Sequence, residues 1–361
     1  MTDGRTHPST RPLAELRAAD EASFGGKSTS LGELIAGGIP VPPGFAVATS
    51  AFHAFLAAGG LEARIADALE RARGGEVEAV QGAAEEIRAA VYETPVPDAV
   101  RDEIAAGYAA LAREAGDDPE PPVAVRSSAV GEDSGEATFA GQQETYLWVR
   151  GADGVCEAVR DCWASTYSAP AISYRARMAA GRAPEMGVAV QLMVDAAVSG
   201  VMFTCNPVSG DPSIVAINSS WGLGLGVVGG EVTPDEYLLS KVTGEVVRET
   251  VAAKHIEYRP APGGRGTECV PVAEDRQAVA SLDEAQLAAL LDVGRRVQRY
   301  FGSHQDVEWA IARGGEVPAS LFVVQSRPVT ATGAEPKQEE PAPASALSMV
   351  MGTFGVKPKE T

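Results

Sequence analysis

The sequence predicts an α+β fold, and three observations carry that prediction. From Ser50 to about Ala115 the chain is Ala-rich and follows a helical period. After residue 122 the texture changes to short β-branched runs bounded by turn residues. The composition is that of an ordinary globular protein, with 45% hydrophobic and 22% charged residues in a chain of 361. At about 100–200 residues per domain, this length holds two or three units and buries a large core.

In chain order, residues 1–12 are polar and Pro-containing and read as a flexible arm. Residues 13–120 read as a mostly helical part. Leu31, Leu34 and Ile35 recur at helical spacing and Gly37-Gly38 stops that helix. IPVPPGFAVAT (39–49) is loop then strand, and breaks at Gly59-Gly60, Gly74-Gly75 and Pro95–Pro97 divide the Ala-rich stretch into four helices. Residues 121–330 open with strands PVAVRSS (122–128) and QETYLWV (143–149). Helices follow at about 152–167 and 170–179, then strands VAVQLMV, SGVMFTC and SIVAINS. A hairpin over 235–251 turns at Thr243-Gly244. An amphipathic helix runs from Leu282 to Tyr300, with Asp283 as N-cap and Gly302 as stop. QDVEWAIA (305–312) and SLFVVQS (320–326) are the last strands, and 331–361 reads as a linker and a hydrophobic tail.

Charge narrows the function. There are 30 Lys plus Arg against 49 Asp plus Glu, a net charge of −19. Such a field repels nucleic-acid backbones and anionic lipid surfaces, so neither is expected as a partner. Four cysteines without CxxC spacing indicate neither a zinc site nor a disulfide framework. No apolar run reaches the roughly 18 residues of a membrane span, and no secretory h-region is visible. The expected location is the cytoplasm.

Several motifs suit phosphate chemistry. Gly25-Gly26-Lys27-Ser28 looks like the end of a P-loop, but Glu21 stands where that pattern needs a Gly. Two glycines, a Lys and a following helix N-terminus still suit an anionic phosphate. Alone, they fit a helix-initiating turn better. Gly224 to Gly229 matches GxGxxG after a strand, yet no dinucleotide-binding context follows. Arg126 closes a strand beside Ser127 and Ser128, and Thr138-Phe139-Ala140-Gly141-Gln142 is a small-residue turn whose amides can face phosphate oxygens. Asp306 and Glu308 lie two apart on one strand, as do Gln325 and Arg327 on the next. Period two puts each pair on one face. If the strands pair, two acids, an amide and a guanidinium converge, and two carboxylates suit Mg²⁺ alongside substrate phosphates. A cross-strand salt bridge alone would explain one acid and the Arg only. The four histidines share no metal-ligand spacing and read as structural or surface residues.

Together, GGKSTSLGELIAGGIPVPPGFAVA, PVAVRSSAVGEDSGEATFAGQQETYLWV, GVAVQLMVDAAVSGVMFTCNPVSGD, SSWGLGLGVVGGEVTPDEY and QDVEWAI…LFVVQSRPVTA resemble the nucleotide-binding part of phosphoenolpyruvate synthase and pyruvate phosphate dikinase. The resemblance covers about residues 13–330. It implies an ATP-grasp-like fold of two lobes with ATP held between sheets. It implies that Lys27, Arg126 and Arg327 contact phosphates and that Thr138, Ala140, Gly141 and Gln142 cover them. By the same likeness, Gln191, Leu192 and Met193 meet the adenine edge through backbone groups. Glu231 falls in a motif near the nucleotide, and Asp306, Glu308 and Gln325 hold Mg²⁺. Lys27, Arg126, Glu308 and Arg327 would be the catalytic set.

Family enzymes also carry a phosphorylated histidine and an acceptor-binding domain, and no such histidine motif occurs in this sequence. The resemblance therefore implies an ATP-binding subunit of a split phosphotransferase. A separate partner subunit would carry the phosphohistidine and acceptor-binding domains. It would pass a phosphoryl group to a small, phenol-type acceptor, with AMP and phosphate as products. One alternative is the ATP-binding part of a phosphoenolpyruvate synthase-like or rifampicin phosphotransferase-like enzyme. Another is a non-catalytic ATP-sensing module. Retention of the Lys, both arginines, both acids and the Gln argues against the last.

Overall fold

Backbone pairing gathers the β-branched runs into two antiparallel sheets and one separate hairpin. The structure, a computed structural model, describes residues 9–131, 144–177 and 184–329. The chain enters through β1 (Thr10–Pro12), two short 3-10 turns, α1 (Glu21–Phe24), α2 (Gly26–Ala36) and β2 (Gly44–Val47). β1 pairs with β2. Thr10–Pro12, expected in the loose arm, are therefore an edge strand. Thr, Arg and Pro held through backbone pairing leave no hydrophobic alternation to read.

The Ala-rich stretch forms α3 (Thr49–Ala58), α4 (Leu61–Arg71), α5 (Val77–Glu93) and α6 (Asp98–Ala115), divided at the expected Gly and Pro breaks. Next come β3 (Val123–Ala129), β4 (Thr145–Val149), α7 (Ala152–Ser165), α8 (Ala169–Arg177) and β5 (Met186–Leu192). The first sheet has the order β1-β2-β5-β3-β4, so it joins strands from both sides of residue 120. Alternation gives it two unlike faces. Phe45, Val47, Val123, Val125, Val188 and Val190 pack on the helices, where Phe55 lies 5.0 Å from the Trp163 ring. The other face carries Gly44, Ala46, Ala124, Gly187 and Ala189. Its small residues admit close backbone approach: a Cβ at Gly187 would lie 2.3 Å from the Phe24 carbonyl oxygen.

The second sheet uses β6 (Ala196–Phe203), β7 (Ile214–Trp221), β8 (Asp235–Ser240) and β9 (Val246–Thr250), with the short α9 (Leu225–Val228) inside the GxGxxG segment. A hairpin of β10 (Ile256–Pro260) and β11 (Thr267–Pro271) follows, then α10 (Glu274–Gln277), α11 (Glu284–Phe301), β12 (Gln305–Ala312) and β13 (Leu321–Pro328). The order is β13-β12-β6-β7-β8-β9. Asp283 caps α11 in a reciprocal box with Gln286, and Gly302 ends it at φ 68°. Leu287, Leu290, Leu291 and Val297 of α11 share a core with Val307 and Trp309. α2 lies between the sheets. The Ser28 N–H donates to Ser128 Oγ of the first at 3.0 Å, and Ser30 Oγ donates to the Ser326 carbonyl of the second at 2.7 Å. Among the described residues no helix is long and apolar enough to cross a membrane.

Candidate functional site

Along β12, Val307 and Trp309 turn into the core, which leaves Asp306 and Glu308 on the opposite face. Asp306 stands directly across from Arg327, and Glu308 from Gln325. Opposed residues of antiparallel strands share a face, so two carboxylates, an amide and a guanidinium converge. The register then slips: Trp309 faces Val323, and Val324 is the extra residue of a bulge.

Arg126 reaches this face from the other sheet. Its Nη1 donates to the Val324 carbonyl at 2.7 Å and its Nη2 to Glu308 Oε2 at 2.9 Å. One side chain thus holds both the bulge and a carboxylate, and its pair is only 12% and 24% exposed. Arg327 donates from Nε and Nη2 to Asp306 Oδ2, each at 2.8 Å. Burial pushes the Asp306 carboxyl above its ordinary pKa; Arg327 opposes that rise and Glu308 adds to it.

The start of α2 meets the end of β3. Gly25, at φ 78°, comes so close that a Cβ would lie 1.9 Å from the Ser128 carbonyl oxygen. Ser128 Oγ accepts the Ser28 N–H, the service a side-chain cap performs, and the buried Lys27 donates from Nζ to the Ser127 carbonyl at 3.2 Å. Lys27 therefore meets β3 one residue beyond Arg126. An α-helix N-terminus favours anions at this spot.

The remaining expected residues fall out differently. Gln191 is buried and its amide nitrogen lies 3.4 Å from the Pro42 carbonyl. The N–H groups of Leu192 and Met193 are donated to Pro43 and Pro122. An adenine edge would have to be met by a carbonyl or the next amide, not by these two N–H groups. Glu231 is exposed and accepts the Tyr258 hydroxyl at 2.6 Å, which, with desolvation and the Cys269 thiol, pushes that phenol up to about 12. Thr138, Ala140, Gly141 and Gln142 lie outside the described residues.

A small apolar cluster adjoins the carboxylates. Trp148, Leu223 and Ala310 are buried in it, with Met193, Tyr258 and Val324 half-covered beside them. Trp148 has φ 58°, the one non-Gly residue with positive φ among those described. A bulky side chain pays about 1–2 kcal/mol for that conformation. Sequence reading missed Trp148, Tyr258 and the Val324 bulge. Aromatic residues at strand ends read as core, and a bulge leaves no mark in a β-branched run.

Asp306, Glu308 and Gln325 are hard oxygen donors on one face, and their set fits Mg²⁺. Among the described residues no group of three His, Cys, Asp or Glu converges.

Residues 21–346 match the family described as pyruvate phosphate dikinase, AMP/ATP-binding domain, and the chain belongs to that family. Its similar proteins include a probable phosphoenolpyruvate synthase of Methanothermobacter thermautotrophicus, 40% identical over 327 residues, covering 90% of this chain and 46% of that protein. A rifampicin phosphotransferase of a Streptomyces species is 40% identical over 330 residues, covering 91% of this chain and 36% of that one. The phosphoenolpyruvate synthase of Pyrococcus furiosus is 35% identical over 385 residues, covering 95% and 46%. The chain thus spans about half or less of these relatives. Among solved structures, a D-cycloserine synthetase matches over 83% of this chain and 61% of its own at 15% identity, with a TM-score of 0.27.

Proposed function

We propose that this chain binds Mg-ATP between its two sheets, in an ATP-grasp-like manner, and activates it for transfer to a histidine on a partner subunit. The observation that supports this most is the single face shared by Asp306, Glu308, Gln325 and Arg327, with Arg126 bonded onto it from the other sheet. Without ligand the two guanidiniums neutralise the two carboxylates. A polyphosphate with its cation offers both sides better partners, because guanidinium forks fit phosphate and carboxylates fit the ion. Asp306, Glu308 and Gln325 would hold Mg²⁺, which supplies charge neutralisation on the phosphate oxygens.

The chain's own groups then position and stabilise charge, which is most of what phosphoryl transfer needs. Lys27 and the first amides of α2 take phosphate oxygens at the end of β3. Arg126 and Arg327 turn from carboxylate to phosphate. The apolar cluster around Trp148, Met193 and Leu223 offers the base a dry wall. The partner's histidine nitrogen attacks the β-phosphorus; the bond to the α-phosphate oxygen breaks, and AMP leaves. Hydrolysis of the resulting pyrophosphoryl group releases phosphate. The remaining phosphoryl passes to a small alcohol, for which a phenol is our choice.

The test uses complexes purified through this protein from its native cells, incubated with Mg-ATP labelled at the β or γ position. The expected result is an acid-labile label on a co-purifying chain, with the β label outlasting the γ label. Tight ATP binding with no label on any chain would leave an ATP-sensing module instead.

A further inference from the structure

A cavity of about 430 Å³ opens on the second sheet's helical side, lined by Lys241, Arg295, Gln298, Arg299 and Gly302. It shares no lining residue with the candidate nucleotide site. In a chain with 49 acidic residues, none of the described lining residues is acidic. The cations come from two elements. Lys241 follows β8, while Arg295 and Arg299 sit one turn apart on α11.

Their bonding differs in a telling way. Lys241 is spent on the protein: its Nζ donates to the Thr204 carbonyl, the Pro212 carbonyl at 2.7 Å, and Gln298 Oε1. Arg295 gives one Nη2 bond to the Lys241 carbonyl. Arg299 makes no hydrogen bond or ion pair among the described residues, although a favourable helix C-terminus alone would explain its charge. Arg295 and Arg299 therefore line the cavity together with a Lys whose ammonium is fixed by the protein. Burial, and less strongly Arg295, push the Lys241 ammonium below its ordinary pKa, against the pull of Cys205 and Asp211. An anion in the cavity would relieve that crowding.

We propose that this cavity binds a small phosphate-bearing anion. Arg295 and Arg299 would engage the phosphate oxygens, with Lys241 as a fixed background charge. Guanidinium forks match phosphate geometry, and the open depression has room for a diphosphate-sized ligand.

Calorimetry with inorganic pyrophosphate in metal-free buffer tests this on the full chain. Wild type should bind, and affinity should fall steeply from low to high salt. The Arg295→Ala/Arg299→Ala pair should weaken binding by about tenfold or more, since each charged hydrogen bond contributes at that scale. Arg299→Ala alone, at an exposed position, should weaken it measurably and decides the matter if the double variant melts early. Arg73→Ala, an exposed change just past α4, should bind as wild type does. No binding to wild type would overturn the proposal. So would equal affinity in the Arg299→Ala variant, or a loss in the Arg73→Ala control as large as in the Arg295→Ala/Arg299→Ala pair.

Discussion

Glu308 and Arg327 spend their charge within the candidate site, Glu308 on Arg126 and Arg327 on Asp306. Each sits on a face otherwise able to pair apolar strands, and each is balanced by a residue of the same site. Glu308→Gln keeps the shape and removes the charge, and Arg327→Ala removes the fork. Each should abolish transfer, by about a hundredfold or more as for lost charge-stabilising groups, with an unchanged circular dichroism spectrum. Near-normal turnover in both would remove the site from these strands. The fully buried pair of Lys254 and Asp235, 2.6 Å apart, makes the opposite case. Asp235 also accepts from Ala252 N, Ser281 N and Ser281 Oγ. Lys254→Met would strand a buried carboxylate and should cost about 3–5 kcal/mol in urea unfolding, with Lys254→Met/Asp235→Asn recovering part. A cost under 1 kcal/mol would show the three remaining donors suffice. The first kind of residue was legible, because period two and paired acids are sequence patterns. The second was not: Lys254 and Asp235 are nineteen residues apart with no repeating spacing between them.

Elements were legible where periodicity and caps agree. α11 shows both, and its Asp283 cap and Gly302 stop are found where its sequence places them. β1 and the β10–β11 hairpin carry neither signal, since both depend on pairing rather than on a buried face. The Gly25-Gly26 turn gave half its meaning to the sequence. Its helix N-terminus was readable; its contact with Ser128 was not, because that partner lies a hundred residues on. Gly25→Ala should therefore fail twice, through positive φ and through a Cβ 1.9 Å from a carbonyl oxygen, while Gly60→Ala meets open space at φ 61°. Melting should drop much further for the first than for the second, whose strain costs about 1 kcal/mol. Equal losses would mean that the α2–β3 contact yields easily. Between α2 and α11, the Tyr300 hydroxyl bonded to Glu33 holds that carboxyl below its ordinary pKa, helped by the Ala18 N–H against the cost of burial. A depressed folded pKa adds stability above the unfolded value and loses it as pH falls through the folded one. Tyr300→Phe should flatten the acid limb of the stability curve, and an unaltered acid limb would discount this contact.

At the scale of the molecule, the side of α2 and the guanidinium of Arg126 both bridge the two sheets. α2 is packed and permanent, whereas Arg126 is held by one carboxylate and one carbonyl that a ligand can replace. The net charge of −19 makes that exchange more demanding, since a polyphosphate approaches against the field and needs local cations to enter. Ligand binding should consequently report on the whole fold. A ligand bound only by the native state at a hundred times its Kd adds about 2.7 kcal/mol, a rise of several degrees in melting temperature. Mg-ATP should produce that rise in wild type, and ATP with excess chelator should produce much less. Arg126→Ala should melt lower without ligand, because it leaves Glu308 and the Val324 carbonyl unanswered, and should lose most of the Mg-ATP shift. A full shift in this variant would show that the nucleotide is held without the bridge, and ATP would then belong elsewhere than between the sheets.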